Sequence, residues 1–226
     1  SLPSGEPVEE GSEQNYRIYE MTYDSVATFD CGSRGKARFP RPGAMPTSKP
    51  LLRDVIEASE AYAEEQGLPD VRYNIETKSS PDGDGVLHPD PETFTRLLYN
   101  VLEETDPASS AGQAVRERAT IQSFDPRTLQ VAHRLDPSLS LALLVAEEQG
   151  GRLEEQLDAL GFTPAIYSPD YHLVDADLVE AAHARGMLVI PWTVNTLDEM
   201  QQLQRLGVDG LITDYPDIAQ ALSGEE

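Results

Sequence analysis

The stretch VRYNIETKSS, residues 71–80, decides how the rest of the chain is read. Its first half has the apolar content of a strand, and it ends on a carboxylate and an amine, Glu76 and Lys78. Alternate residues of a strand share a face, so Asn74, Glu76 and Lys78 point one way while Val71, Tyr73, Ile75 and Thr77 point the other. A face that carries an amide, an acid and a base is either a solvated edge or the wall of a site. The surrounding sequence has to separate the two.

From residue 50 onward a short apolar run, a turn and an amphipathic stretch recur. The apolar runs predict strands at 71–77, 119–123 (ATIQS), 139–145 (LSLALLV), 164–167 (PAIY), 187–194 (MLVIPWTV) and 208–213 (VDGLIT). Helical periodicity predicts helices at 50–66, 91–104, 126–135, 151–160, 175–185, 197–206 and 217–222. Asp125-Pro126 supplies a cap and a first-turn proline, and Gly161, Gly186 and Gly207 stand where helices should stop.

Strands alternating with helices at this pitch make βαβ units and a parallel sheet. LSLALLV, apolar throughout, suits a strand covered on both faces. No GxGxxG or GxxxxGK[ST] loop is present, which counts against an open nucleotide-binding sheet. The predicted fold is therefore α/β, a TIM (β/α)8 barrel of which this chain supplies about strands 3–8. Residues 50–226 hold its six β/α units, and residues 1–49, with GSRGKARFPRPGAMP, form an irregular, turn-rich excursion.

Charge narrows the function classes. Seventeen basic residues against forty acidic ones leave a net charge of −23, which counts against a nucleic-acid surface and against docking on anionic lipid. No run approaches the ~18 apolar residues of a membrane helix, and SLPSGEPVEEGSEQ has neither the basic nor the apolar region of a signal peptide. The one cysteine, Cys31, has no partner for an internal disulfide. Only Lys36, Lys49 and Lys78 are lysines, and an acidic, lysine-poor surface is what adaptation to high salt produces.

The site of a β/α barrel lies at the C-terminal ends of its strands. Those ends read Glu76 with Lys78, Ser123 with Phe124, Tyr167 with Ser168, Trp192 with Asn195, and Asp214. Phe124 and Trp192 are of types found more often in a core than against a substrate, and Asp214 can equally cap the last helix. A Schiff-base enzyme built on Lys78 is the weakest reading, since a carboxylate beside an amine favours its charged form. His133 and His183 fall inside helical patterns and are expected as ordinary surface residues, whereas His88 and His172 lie in loops on the face where a site would open.

YNIETK, IQSFDP, IPWTVNT and GVDGLITDYP, in this order and spacing, resemble consecutive motifs of the glycerophosphodiester phosphodiesterases, over about residues 50–222. The resemblance implies a TIM barrel and metal-dependent hydrolysis of a small-molecule glycerophosphodiester to glycerol 3-phosphate and an alcohol. It implies a divalent metal, Ca2+ or Mg2+, on Glu76, a phosphate facing Lys78, and substrate near Phe124 and Trp192. Hard oxygen ligands suit such ions, and a bound cation beside an ammonium reverses the field of an acidic protein locally. Similar proteins open with a His-Arg-Gly motif, a Glu-x-Asp pair and a His-Asp, which supply the general acid and base and complete the metal site. None of these stands ahead of YNIETK, so the catalytic histidines are expected in a missing N-terminal segment of the same protein, and this chain alone is expected to be inactive. A periplasmic or secreted location also comes from the resemblance alone. The alternative is an inactive barrel remnant that binds a phosphate-bearing ligand or a partner.

Overall fold

Residues 1–49 lack the apolar period that a helix or strand needs, and the described residues among them fold mostly as turns. Short 3-10 turns at Glu13–Asn15 and Ile18–Glu20 precede α1 (Tyr23–Val26), a single helical turn whose Ser25 amide donates to the Thr22 hydroxyl. The structure is a computed structural model that describes residues 1–37, 39–41, 43–105, 114–150 and 152–222. It divides into two compact units, one of residues 1–71 and 81–90 and one of residues 72–80 and 91 onward.

In the first unit, α2 (Leu52–Gln66) draws ten of its fifteen residues from the good helix formers Ala, Leu, Arg, Glu and Gln and buries Ile56 and Ala63. It stops at Gly67, whose φ of 62° is left-handed and lets its amide return to Ala63 and Glu64 carbonyls.

The second unit is built on a parallel sheet of β1 (Tyr73–Glu76), β2 (Ala119–Ser123), β3 (Ser140–Val145), β4 (Ile166–Pro169) and β5 (Leu188–Val189). Spatial order follows chain order, and each strand pairs in parallel with the next, which requires a crossover each time. Helices supply them: α3 (Pro91–Glu104), α4 (Pro126–Leu135), α5 (Leu153–Leu160) and α6 (Ala176–His183), followed by α7 (Leu197–Leu206) and α8 (Pro216–Leu222). β3 behaves as LSLALLV predicts, with Leu141 to Val145 all buried. Ile121, Leu129, Ala132 and Leu143 pack between β2, β3 and α4, each large side chain contributing roughly 1.5–3 kcal/mol.

Register places Glu76 beside Gln122, and Gln122 beside Ala142. The face of β1 opposite α4 carries Asn74, whose amide donates to Gln122 at 2.8 Å. Thr120 donates to Ser140 on the next pair at 3.0 Å. A cavity of 390 Å3 lies along this polar face, lined by Asn74, Thr120, Gln122 and Ser168 among others.

The predicted strand 71–77 is regular only over Tyr73–Glu76 and 164–167 is displaced to Ile166–Pro169, and two further predicted strands fall well short of expectation. In 187–194 the regular strand is confined to Leu188–Val189, and Pro191 offers no N–H to the side that faces residues 208–213. Hydrogen bonding to the β4 segment continues past it, the Ile190 and Trp192 amides donating to the Tyr167 and Pro169 carbonyls at 3.1 and 3.0 Å. Residues 208–213 form no regular strand, yet they run beside this segment through Asp209 N to Val189 O, Ile212 N to Pro191 O and Val194 N to Ile212 O. β1 and β5 are the edges of the regular sheet, which does not close on itself among the described residues. The predicted helices all form, with ends displaced by one or two residues; Gly151, at the start of one, lies outside the described residues.

Candidate functional site

Glu76 is the last residue of β1, and strand alternation carries Lys78 to the same face. Lys78 Nζ stands 3.7 Å from Glu76 Oε1, with its side chain 85% exposed against 27% for Glu76. Oε1 of Glu76 is itself buried and accepts no hydrogen bond. A desolvated carboxylate oxygen without a donor costs free energy unless something cationic meets it. The nearby ammonium answers that requirement weakly, since 3.7 Å is an ion-pair distance and not a hydrogen bond.

The backbone on either side of Lys78 is tied to the β2–α4 junction. Thr77 is buried; its hydroxyl lies 2.8 Å from that of Thr128 on α4, and its carbonyl accepts from Ser123 Oγ at 2.8 Å. Ser79 Oγ donates to Asp125 Oδ2 at 3.0 Å. Asp125 is 5% exposed and also caps α4 by accepting from the Arg127 amide at 3.1 Å, while Arg127 Nη2 reaches it at 2.7 Å. Burial alone would raise the Asp125 carboxyl, but the Arg127 side chain and amide and the Ser79 hydroxyl outweigh it and hold it below the usual carboxylate range. Sequence reading sees the cap in Asp125-Pro126 but not these partners. Ser79 and Asp125 are 46 residues apart and meet only through β1–β2 pairing.

A second pair forms across β2 and β5. Phe124 and Trp192 meet edge to face, with centroids 5.3 Å apart and planes at 88°. Trp192 Nε1 donates to the Ser168 carbonyl at 2.9 Å, and the Trp192–Thr193 peptide is cis. Ser168 Oγ in turn donates to Ile190 O at 2.6 Å. Asn195 and Asp214 also meet: Asn195 Nδ2 donates to Asp214 Oδ2 at 2.9 Å, and Asn195 Oδ1 accepts from the Asp214 amide at 3.0 Å. Asp214 therefore fastens the loop after Thr213 to the end of the β5 segment. No hydrogen bond or ring contact joins the Glu76–Lys78 pair to the Phe124–Trp192 pair among the described residues.

The four histidines have other occupations. His88, in the first unit, is 8% exposed; its Nδ1 lies 2.8 Å from Pro89 O, and a Cβ on Gly83 would meet its ring at 2.3 Å. His172 is exposed, 2.8 Å from Asp170 and tilted on Tyr171. His133 stacks on Phe162 at 4.1 Å. His183 is exposed, as its helical position predicts, and it is paired. Its Nε2 lies 2.8 Å from Asp209 Oδ2, the same oxygen that accepts the Val189 amide at 2.7 Å, so it braces the edge of the sheet.

Among the described residues no three His, Cys, Asp or Glu side chains gather as a metal-ligating group. Ca2+ takes six to eight oxygens and Mg2+ six, so Glu76 fits as one hard ligand and the described residues do not by themselves complete a centre. Nor is any helix of the described residues long and apolar enough to cross a membrane.

Comparison with known proteins bears on what these pairs belong to. A Bacillus subtilis glycerophosphodiester phosphodiesterase is 25% identical over 206 residues, which is 89% of this chain and 64% of that protein. The chain thus spans under two thirds of that relative's length. In fold it is similar to a Silicibacter pomeroyi protein that carries a glycerophosphoryl diester phosphodiesterase name, at 24% identity with a TM-score of 0.72 over 90% of this chain and 68% of that one. An Oleispira antarctica phosphodiesterase, solved in complex with the product sn-glycerol-3-phosphate, is 22% identical with a TM-score of 0.58 over 80% of this chain and 62% of that one. The family model of the glycerophosphoryl diester phosphodiesterases matches residues 7–218. The match takes in the turn-rich segment before residue 50, which the motifs alone leave outside the resemblance. With residues 7–218 matched, the chain belongs to the glycerophosphoryl diester phosphodiesterase family.

Proposed function

We propose that the Glu76–Lys78 face is part of a site that hydrolyses glycerophosphodiesters to glycerol 3-phosphate and an alcohol. The observation that carries this reading is the buried, donorless Oε1 of Glu76 beside an exposed ammonium on one strand face. In this reading Lys78 meets a non-bridging phosphate oxygen and offsets its charge. Glu76 contributes one oxygen toward a divalent ion, Ca2+ or Mg2+, which when bound would supply further positive charge at the phosphate. The Phe124–Trp192 pair forms an apolar wall for the carbon skeleton of the substrate. Water adds to phosphorus, the ester bond to the alcohol breaks, and the alcohol leaves with a proton. The solved relative with bound sn-glycerol-3-phosphate supports the substrate class. The chain-order, all-parallel sheet supports β1 to β5 and residues 208–213 as strands three to eight of a TIM barrel.

A second reading is favoured by the lone carboxylate: a face that binds a phosphate-bearing ligand without hydrolysing it. Turnover of glycerophosphocholine with added Ca2+ or Mg2+, measured on a protein that also carries the expected His-Arg-Gly, Glu-x-Asp and His-Asp motifs, separates the two. Release of glycerol 3-phosphate that falls at least about a hundredfold in Lys78→Ala supports the first. Saturable binding of glycerol 3-phosphate without turnover supports the second, and neither binding nor turnover sinks both.

A further inference from the structure

The turn-rich excursion is the part of the chain that the proposed function does not use, and its second half runs into a stretch whose charge is opposite to that of the whole. Residues 31–53 hold six of the seventeen basic residues and no acidic one, in a protein of net charge −23. The two ends of the turn in this stretch are tied together. The Cys31 amide donates to Thr47 O at 2.7 Å and the Met45 amide to Gly32 O at 3.0 Å. A Cβ on Gly32 would meet Met45 O at 2.2 Å, so glycine permits this close approach. Asp30 Oδ1 locks the two ends together by accepting from the amides of Gly32, Ser33 and Thr47 at 3.0 to 3.3 Å.

The result is a cavity of 470 Å3 within the first unit. Its floor is apolar, formed by Tyr16, Ile18, Met21, Val26 and Phe29, with Tyr16 and Phe29 edge to face at 5.5 Å. Tyr16 is 37% and Ile18 55% exposed, more than an apolar lining needs when nothing covers it. Arg34, Lys36 and Lys49 stand at the same cavity, all exposed and without an ion pair among the described residues. The one lining carboxylate, Asp30, is already met by three backbone amides. Two of the three lysines of the chain are thus spent on one apolar pocket, of the size that small-molecule sites have.

We infer that this cavity binds a single-chain amphiphile with an anionic head, its tail on the Tyr16–Phe29 floor and its head among Arg34, Lys36 and Lys49. Charge complementarity selects the head, since the remainder of the protein repels anions. The assignment is independent of the Glu76–Lys78 reading and stands or falls without it.

Cys31 reports on it directly, because the sole cysteine of the sequence lines this cavity and is exposed. Its alkylation by N-ethylmaleimide is followed by intact mass in the whole chain, with decyl phosphate below its micellar concentration as ligand. Decyl phosphate should slow the reaction at a concentration at least about tenfold below that of decanol, and inorganic phosphate should not slow it. In Lys36→Gln/Lys49→Gln, both exposed positions, the advantage over decanol should vanish with the melting temperature unchanged. Equal protection by decanol and decyl phosphate would overturn the inference, as would protection by neither. Protection by phosphatidylglycerol vesicles with none by monomeric decyl phosphate would also overturn it, in favour of a membrane contact.

Discussion

Asp125→Ala should be among the most damaging single changes at a polar residue of the second unit, and the structure sets its size. The carboxylate is 5% exposed and makes three kinds of contact. Loss of the α4 cap, made through the Arg127 amide, costs about 1 kcal/mol. Removing the charged acceptor of the Ser79 hydroxyl costs roughly 1.5 kcal/mol. The Arg127 guanidinium, one third exposed, adds only about 0.5 kcal/mol, since solvent screens it. The sum is about 3 kcal/mol, or a fall of roughly 6–12 °C in melting temperature for a chain of this length. Asp125→Asn keeps the cap and the Ser79 bond and should lose only about 2–4 °C.

The pH dependence follows from the lowered Asp125 carboxyl. A depressed folded value means stabilisation that is present above the unfolded value near 3.9 and lost as pH falls through the folded one. The gap between wild type and Asp125→Ala should therefore narrow below about pH 4. Circular dichroism melts of the three proteins from pH 7 down to pH 3 measure all of this. An Asp125→Ala protein that melts within about 2 °C of wild type at pH 7 would refute the view that this carboxylate clamps the segment around Lys78.

Glu76→Gln should leave the melting temperature nearly unchanged without metal and abolish any rise produced by Ca2+ or Mg2+, a rise worth about 2.7 kcal/mol at a hundred times Kd; an equal response in both proteins would remove Glu76 as a ligand. Trp192→Phe keeps a ring against Phe124 but loses the bond to Ser168 O, so it should cost about 1 kcal/mol in urea unfolding and raise KM for glycerophosphocholine. Burial pushes the Tyr167 phenol up to about 12 despite its bond to Gln156. Its raised value means stability that is full below the unfolded value near 10 and lost as pH rises toward about 12, by roughly 1.4 kcal/mol per unit. Tyr167→Phe should flatten that part of the curve, and an unchanged slope would show that other groups set it. A net charge of −23 also predicts a melting temperature that climbs from about 20 mM to 1 M NaCl; a salt-independent melt would count against high-salt adaptation.

The helices from residue 91 onward were legible because their signals are local. Asp125-Pro126 marks the start of α4, and Gly161 and Gly207 mark the ends of α5 and α7, each within a few residues of what they control. The shared face of Asn74, Glu76 and Lys78 was legible for the same reason, since alternation needs only two peptide steps. MLVIPWTV has the composition of a full strand, but Pro191 has no N–H for the side of residues 208–213, which stay irregular beside it.

What tertiary structure alone decided are the meetings of residues far apart in the chain. Ser79 with Asp125, His183 with Asp209, and Asn195 with Asp214 have no sequence pattern, because strand register sets which side chains come within 3 Å. The donorless oxygen of Glu76 is likewise a property of its surroundings and not of its type. So is the cationic cavity of residues 1–49, where basic side chains without helical or strand period converge only because Asp30 and a glycine bring two turns into contact. Period and caps act over a few bonds and can be read from the chain; desolvation and charge act through space, and need the fold to say what lies nearby.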